Sequence, residues 1–119
     1  YRTMLPTTFS PEFVAANPGL IEQGEERLKA CDEAFFKAFA SLVDAFCALD
    51  ITPILDRIRC PALVIAGEKD LLKPPRYSQI IADGIEGAEL LVAPGAGHAV
   101  VLEQPGFINR KLVDFMGQR

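Results

Sequence analysis

Positive charge is scarce in this 119-residue sequence: 12 Lys and Arg stand against 16 Asp and Glu, for a formal net charge of −4 at pH 7. Nucleic acid is held by clustered cations that neutralise phosphates, and no such cluster occurs, so a nucleic-acid partner is not expected. There is no apolar run near the roughly 18 residues that a membrane span requires, and no basic, apolar, small-residue leader, so a membrane partner is not expected either. Cysteine is limited to Cys31, Cys47 and Cys60, an odd set without C-x-x-C or metal-ligand spacing. These read as buried free thiols in a reducing compartment, the cytoplasm. Histidine occurs once, at His98.

What is present begins with a hydrophobic content of 50%, ample for a core in a chain of one domain's length. The organising stretch is Cys60-Pro-Ala-Leu-Val-Ile-Ala-Gly-Glu-Lys-Asp70. Pro61 biases Cys60 toward an extended backbone, so the apolar run 62–66 reads as a strand buried on both faces, ended by Gly67. Asp70 then lies on the loop at the strand's C-terminal end, where open α/β sheets place their functional groups. A second strand, 89–93, leads into Pro94-Gly-Ala-Gly-His98. The segment 75–83 between them is long enough for a helical crossover, which makes the strands parallel and puts both loops on one edge of the sheet. Adjacent strands about 4.8 Å apart would let Asp70 and His98 reach hydrogen-bonding distance, two-thirds of a nucleophilic triad.

Either residue alone has a plainer reading, since an aspartate after a strand is usually a turn former and a lone histidine a structural hydrogen-bonder. Their shared position at strand ends favours the catalytic one. Glu68, two residues before Asp70, is the competing acid and is expected to point the other way. Gly95-Ala-Gly97 precedes no helix and lacks a third glycine, so it is a weak phosphate signal. Lys73 and Arg76 read as solvent-facing.

Asp50, the run from Ile54 through Asp70, Gly97-His98, Glu103-Gln104-Pro105 and Val113-Asp114-Phe115 together resemble the C-terminal part of an α/β-hydrolase. The likeness is to the lactonase and esterase branch typified by 3-oxoadipate enol-lactonase. It covers residues 50–119, while residues 1–50 loosely resemble the family's helical cap. The resemblance implies a partial α/β-hydrolase fold: two parallel strands with a crossover and C-terminal helices in 51–119, preceded by an α-helical cap segment in 1–50. It also implies acyl transfer on a small-molecule ester or lactone, with His98 as general base and Asp70 orienting it, and no metal or other cofactor. The family's nucleophile elbow, G-x-S-x-G, is not in the sequence: Ser10, Ser41 and Ser78 all lack the flanking glycines, and so do the three cysteines. With a first residue other than methionine and only two strands, the expectation is a piece of a longer hydrolase. A dehalogenase or cofactor-free haloperoxidase of the same fold, or a non-catalytic interaction module, are the alternatives.

Along the chain, residues 1–9 read as an extended entry, and Ser10-Pro11 as a helix start that Asn17-Pro18 repeats. From Leu20 to Leu49 apolar residues recur at three and four positions, predicting one long helix or two in series whose phenylalanines roof a site or pack against a partner. Thr52 reads as the N-cap of a short connector with Ile54 and Leu55 packed inward. Tyr77, Ile80 and Ile81 are expected to face the sheet, and Phe107, Ile108, Leu112, Val113, Phe115 and Met116 to form the buried side of a final helix. An open strand edge and an uncovered cap helix predict a homo-oligomer.

Overall fold

The computed structural model describes residues 1–117. The chain opens with a short helix, α1 (Leu5–Thr8), where an extended entry was expected. The Thr7 and Thr8 hydroxyls donate back to the Met4 carbonyl at 2.8 and 3.0 Å, closing a turn in which Pro6 lacks only an N–H that would be unpaired anyway. α2 (Pro11–Ala16) starts as read, its Phe13 amide donating to Ser10 Oγ at 3.3 Å. Asn17-Pro18 is a stop instead of a second start: Asn17 donates to the Phe13 carbonyl at 2.8 Å, and α3 (Leu20–Lys29) begins after Gly19 with no side-chain cap. The long apolar stretch divides into α3 and α4 (Glu33–Ala48) because Asp32 caps the second helix, accepting from the Phe35 amide at 2.8 Å.

The connector is a 3-10 helix, Thr52–Arg57, and its capping acceptor is Asp50, not Thr52: the Thr52 amide donates to Asp50 Oδ1 at 2.9 Å. Leu55 is buried, lying against Gly84, while Ile54 is exposed. β1 (Leu63–Gly67) and β2 (Glu89–Ala93) then pair in parallel, in register from Leu63 opposite Glu89 to Gly67 opposite Ala93. α5 (Pro75–Gly84) is the crossover between them. α6 (Val100–Glu103) and α7 (Pro105–Gly117) follow.

Several burial expectations are corrected. β1 is not buried on both faces: Leu63, Val64 and Ile65 are half-buried, because among the described residues the sheet has only one partner strand for it. In α5 the inward stripe runs through Ser78, Ile81 and Ala82 to Ile85, one helical face, leaving Tyr77 and Ile80 exposed on the next stripe. In α7 Ile108 is buried at 2% exposure with Phe107 and Phe115 half-buried, whereas Leu112, Val113 and Met116 face out. The thiols are free, but Cys47 and Cys60 are exposed and Cys31 is half-buried.

The core is small and sits beneath the loop edge of the sheet, built from Ala93, Ala96, Val100 and Ile108 with Ile65, Leu91 and Phe107 packed against it. A compact chain of this length has a radius of gyration of roughly 13.5 Å. Here it is 16.6 Å. The accessible surface, 8361 Å², likewise exceeds the approximately 6,300 Å² of a compact monomer of this mass. Large apolar side chains are exposed along α4: Phe35, Phe36, Phe39, Leu42, Val43 and Phe46. No helix among the described residues is long and apolar enough to cross a membrane.

Candidate active site

β1 delivers Asp70 through a loop laced to its neighbour. The Glu68 amide donates to the Ala93 carbonyl at 3.0 Å, and the Lys69 amide to the Ala96 carbonyl at 2.8 Å. The Asp70 amide turns back onto the Gly67 carbonyl at 3.1 Å, and the Lys73 amide donates to Asp70 Oδ1 at 2.7 Å. Asp70 is thus a turn former, as an aspartate after a strand often is. That role uses one carboxylate oxygen and leaves the other.

His98 arrives from β2 through Pro94-Gly95, where Gly95 has φ +70°, a left-handed conformation suited to glycine. Close approach sets the rest of the loop: a Cβ on Gly67 would lie 2.0 Å from the Gly97 carbonyl oxygen, so β1 and the histidine loop touch backbone to backbone. Glu68, the rival acid, is directed elsewhere, its Oε2 accepting from the Gly95 amide at 2.7 Å.

Asp70 Oδ2 and His98 Nδ1 are 2.8 Å apart. An ionised carboxylate only accepts, so across this contact the proton belongs on Nδ1, and in the neutral ring the lone pair is then on Nε2. The Asp70 side chain is 6% exposed and that of His98 40%, so the acid is shielded from water while the ring is accessible. The two residues singled out in the sequence are brought together by adjacent parallel strands.

The alpha/beta hydrolase family matches residues 2–111. The chain belongs to that family. Among its relatives is the Rhizobium rhizogenes protein named "Putative carbamate hydrolase RutD", 32% identical, matched over 90% of this chain and 45% of its own length. The chain therefore spans about half of that relative. Among solved structures, the MGS-M2 alpha/beta hydrolase from a Medee basin deep-sea metagenome library aligns over 100% of this chain and 44% of its own, with TM-score 0.88 and 27% identity. The enol-lactonase from Burkholderia xenovorans LB400 aligns over 98% and 43%, with TM-score 0.85 and 27% identity.

In this chain the N-terminal helices touch both loops of the Asp70–His98 pair. Lys73, next to the acid's turn, places Nζ 4.5 Å from the centroid of the Phe46 ring in α4. Lys69 Nζ bonds Glu12 Oε1 in α2 at 2.5 Å. On the histidine side, the Ala99 amide donates to the Thr8 carbonyl at 2.9 Å. Glu103 and Gln104 contact the histidine loop too, and sequence reasoning gave them no role: Glu103 Oε1 accepts from the Gly97 amide at 3.0 Å, and Gln104 donates to the Pro94 carbonyl at 2.6 Å. The signal available was their place in Glu103-Gln104-Pro105, one of the short motifs that carry the family resemblance, which marked the position without giving either side chain a task.

The Lys69 hydrogen bond holds the Glu12 carboxyl below the usual carboxylate range, aided by a backbone bond. The ionised form is the one favoured in the fold, so the pair's contribution is present above the ordinary Glu pKa and disappears as pH falls through the lowered one. Exposure keeps its effect on stability slight. A carbon-detected NMR titration of Glu12 is expected to show a midpoint below that of a model glutamate, rising toward it in Lys69→Ala; an unchanged midpoint in the variant would refute the pairing.

Proposed function

We propose that this chain supplies the general base and the orienting acid of a serine-type acyl transfer on a small-molecule ester or lactone, with 51–119 as the C-terminal part of the core and 1–50 as its cap. His98 Nε2 takes the proton from the attacking hydroxyl and returns it to the leaving group, while Asp70 holds Nδ1–H and stabilises the imidazolium. The observation that carries the reading is the 2.8 Å Nδ1 to Oδ2 contact. Lactone and carbamate hydrolysis, the chemistries in the relatives' names, both break a bond at an acyl carbon and support it. Free thiols, two of them exposed, support a reducing cytoplasmic setting.

No G-x-S-x-G occurs among the 119 residues, so the attacking hydroxyl must come from outside this sequence. The chain alone is expected to turn over p-nitrophenyl acetate no faster than buffer; a rate lost in His98→Ala would overturn that expectation. The positive arm joins the chain to the part of the MGS-M2 hydrolase that lies outside the matched stretch. Esterase activity that disappears with His98→Ala supports the assignment. A folded chimera whose activity is indifferent to His98 would refute it.

Homo-oligomerisation is part of the same proposal. The surface in excess of a compact monomer is on the order of 2,000 Å² for one chain, more than the roughly 800 Å² per partner that a standard interface covers, and exposed apolar side chains of α4 and an open sheet edge are available for it. Covering apolar area at about 25 cal/mol per Å² favours association over exposure. Light scattering after size exclusion is expected to give a dimer or larger species through α4, the strand edge, or an exchange of helices about 50–53. A clean monomer at micromolar concentration would exclude it.

A further inference from the structure

We infer that Glu103 is a positioning residue for His98, acting through a clasp with Ser10; the inference rests on the Asp70–His98 reading above. The Glu103 carboxylate gathers donors from two distant parts of the chain. Oε1 accepts from the Gly97 amide at 3.0 Å and from the Ser10 amide at 3.2 Å, and Oε2 accepts from the Ser10 hydroxyl at 2.5 Å. Ser10 is 93 positions away in sequence and buried at 3% exposure. Its hydroxyl also caps α2, so one side chain joins the N-terminal helices to the loop that bears the histidine.

The geometry limits where that loop can go. Gly97, the residue before His98, is held by Glu103, and Ala99, the residue after it, donates to the Thr8 carbonyl at 2.9 Å. The histidine is therefore anchored on both sides to residues 8–10. A Cβ on Gly97 would meet the Ser10 nitrogen at 2.7 Å and Glu103 Oε1 at 2.8 Å, so the loop is seated against the clasp without spare room. Hydrogen bonds to an ionised acceptor are stronger than neutral ones, and a fork of two oxygens fixes direction as well as distance. An apolar side chain could fill the same space. It could not set the height of the Gly97 amide, and through it the reach of Nδ1 to Asp70. Glu103 is not a catalytic residue, since its contacts are with backbone and Ser10.

The single histidine makes the test specific. Selective ¹⁵N-histidine labelling of this chain reports which ring nitrogen of His98 carries the proton when the ring is neutral, and whether a hydrogen-bonded Nδ1–H resonance is present. Wild type is expected to show that resonance. Glu103→Ala is expected to lose it, and Glu103→Asp, too short to span Gly97 and Ser10 together, to lose it while remaining folded by circular dichroism. Glu103→Gln, whose amide oxygen still accepts from Gly97 and whose NH₂ can donate to Ser10 Oγ, is expected to keep it. A merely structural bond would lower the melting temperature without moving the tautomer. Should Glu103→Ala fail to fold, the aspartate variant decides: folded with the resonance intact, it overturns the positioning role. A wild type lacking the resonance instead overturns the dyad reading, and the inference with it; the two failures are distinguished by which protein shows the loss.

Discussion

Replacing Asp70 by asparagine in the chimera with the MGS-M2 hydrolase is expected to lower kcat by about 10⁴-fold with little change in KM, the scale seen when a triad acid loses its charge but keeps its shape. The structure explains why the two effects separate. In the Asp70→Asn variant the side-chain amide oxygen can still accept from the Lys73 amide, the bond that closes the turn at 2.7 Å in the native chain, so the loop survives. The new side-chain NH₂ would then face His98 Nδ1 in place of the native Oδ2, which lies 2.8 Å from it. A donor there forces the ring proton onto Nε2, and the nitrogen that should take a proton from the nucleophile already has one. Circular dichroism melting is expected to show a near-native midpoint, which separates lost chemistry from lost folding. A drop of less than about tenfold would mean that Asp70 is a turn former and nothing more.

Gly67→Ala is expected to have the largest effect on the fold itself. Its Cβ would lie 2.0 Å from the Gly97 carbonyl oxygen and 2.5 Å from that of Ala96, both backbone atoms that cannot rotate away. Overpacking in a well-filled interior costs about 1–3 kcal/mol and sometimes more; with backbone against backbone, about 3 kcal/mol or above is the reasonable scale. For a domain of this length that is a fall of roughly 10 °C or more in Tm, taken from a total stability of only about 5–15 kcal/mol. Relief requires the end of β1 and the histidine loop to part, which also separates Asp70 from His98. The control is Gly106→Ala in α7, where the nearest atom to the new Cβ is the flexible tip of Arg110 at 3.6 Å. There the helix-propensity gain of up to about 1 kcal/mol should leave Tm unchanged or slightly raised. Equal Tm values for the two variants would contradict the close approach.

What could be read from the sequence were the features with local causes. The second strand falls on Glu89–Ala93 as read, and the crossover on Pro75–Gly84, because Pro75 and the glycines at 84 and 87 mark its ends by backbone chemistry alone. The first strand is displaced by one residue, to Leu63–Gly67. Parallel pairing follows from a crossover of that length, and with it the meeting of Asp70 and His98, so the pair was legible from topology and spacing. The absence of an elbow was legible directly.

Tertiary structure alone decided which faces of those elements meet anything. Leu112, Val113 and Met116 repeat at helical spacing and are apolar, yet they are exposed, since periodicity marks a face and says nothing of whether another layer covers it. The same holds for the phenylalanines of α4 and for Cys47. Only in three dimensions does Glu103 meet Ser10: the partners are 93 residues apart, and the short motifs each belongs to, a helix start at Ser10-Pro11 and Glu103-Gln104-Pro105, say nothing of the other. Backbone punctuation acts within a few residues and is written in the chain; a hydrogen bond across the fold depends on where every intervening element packs.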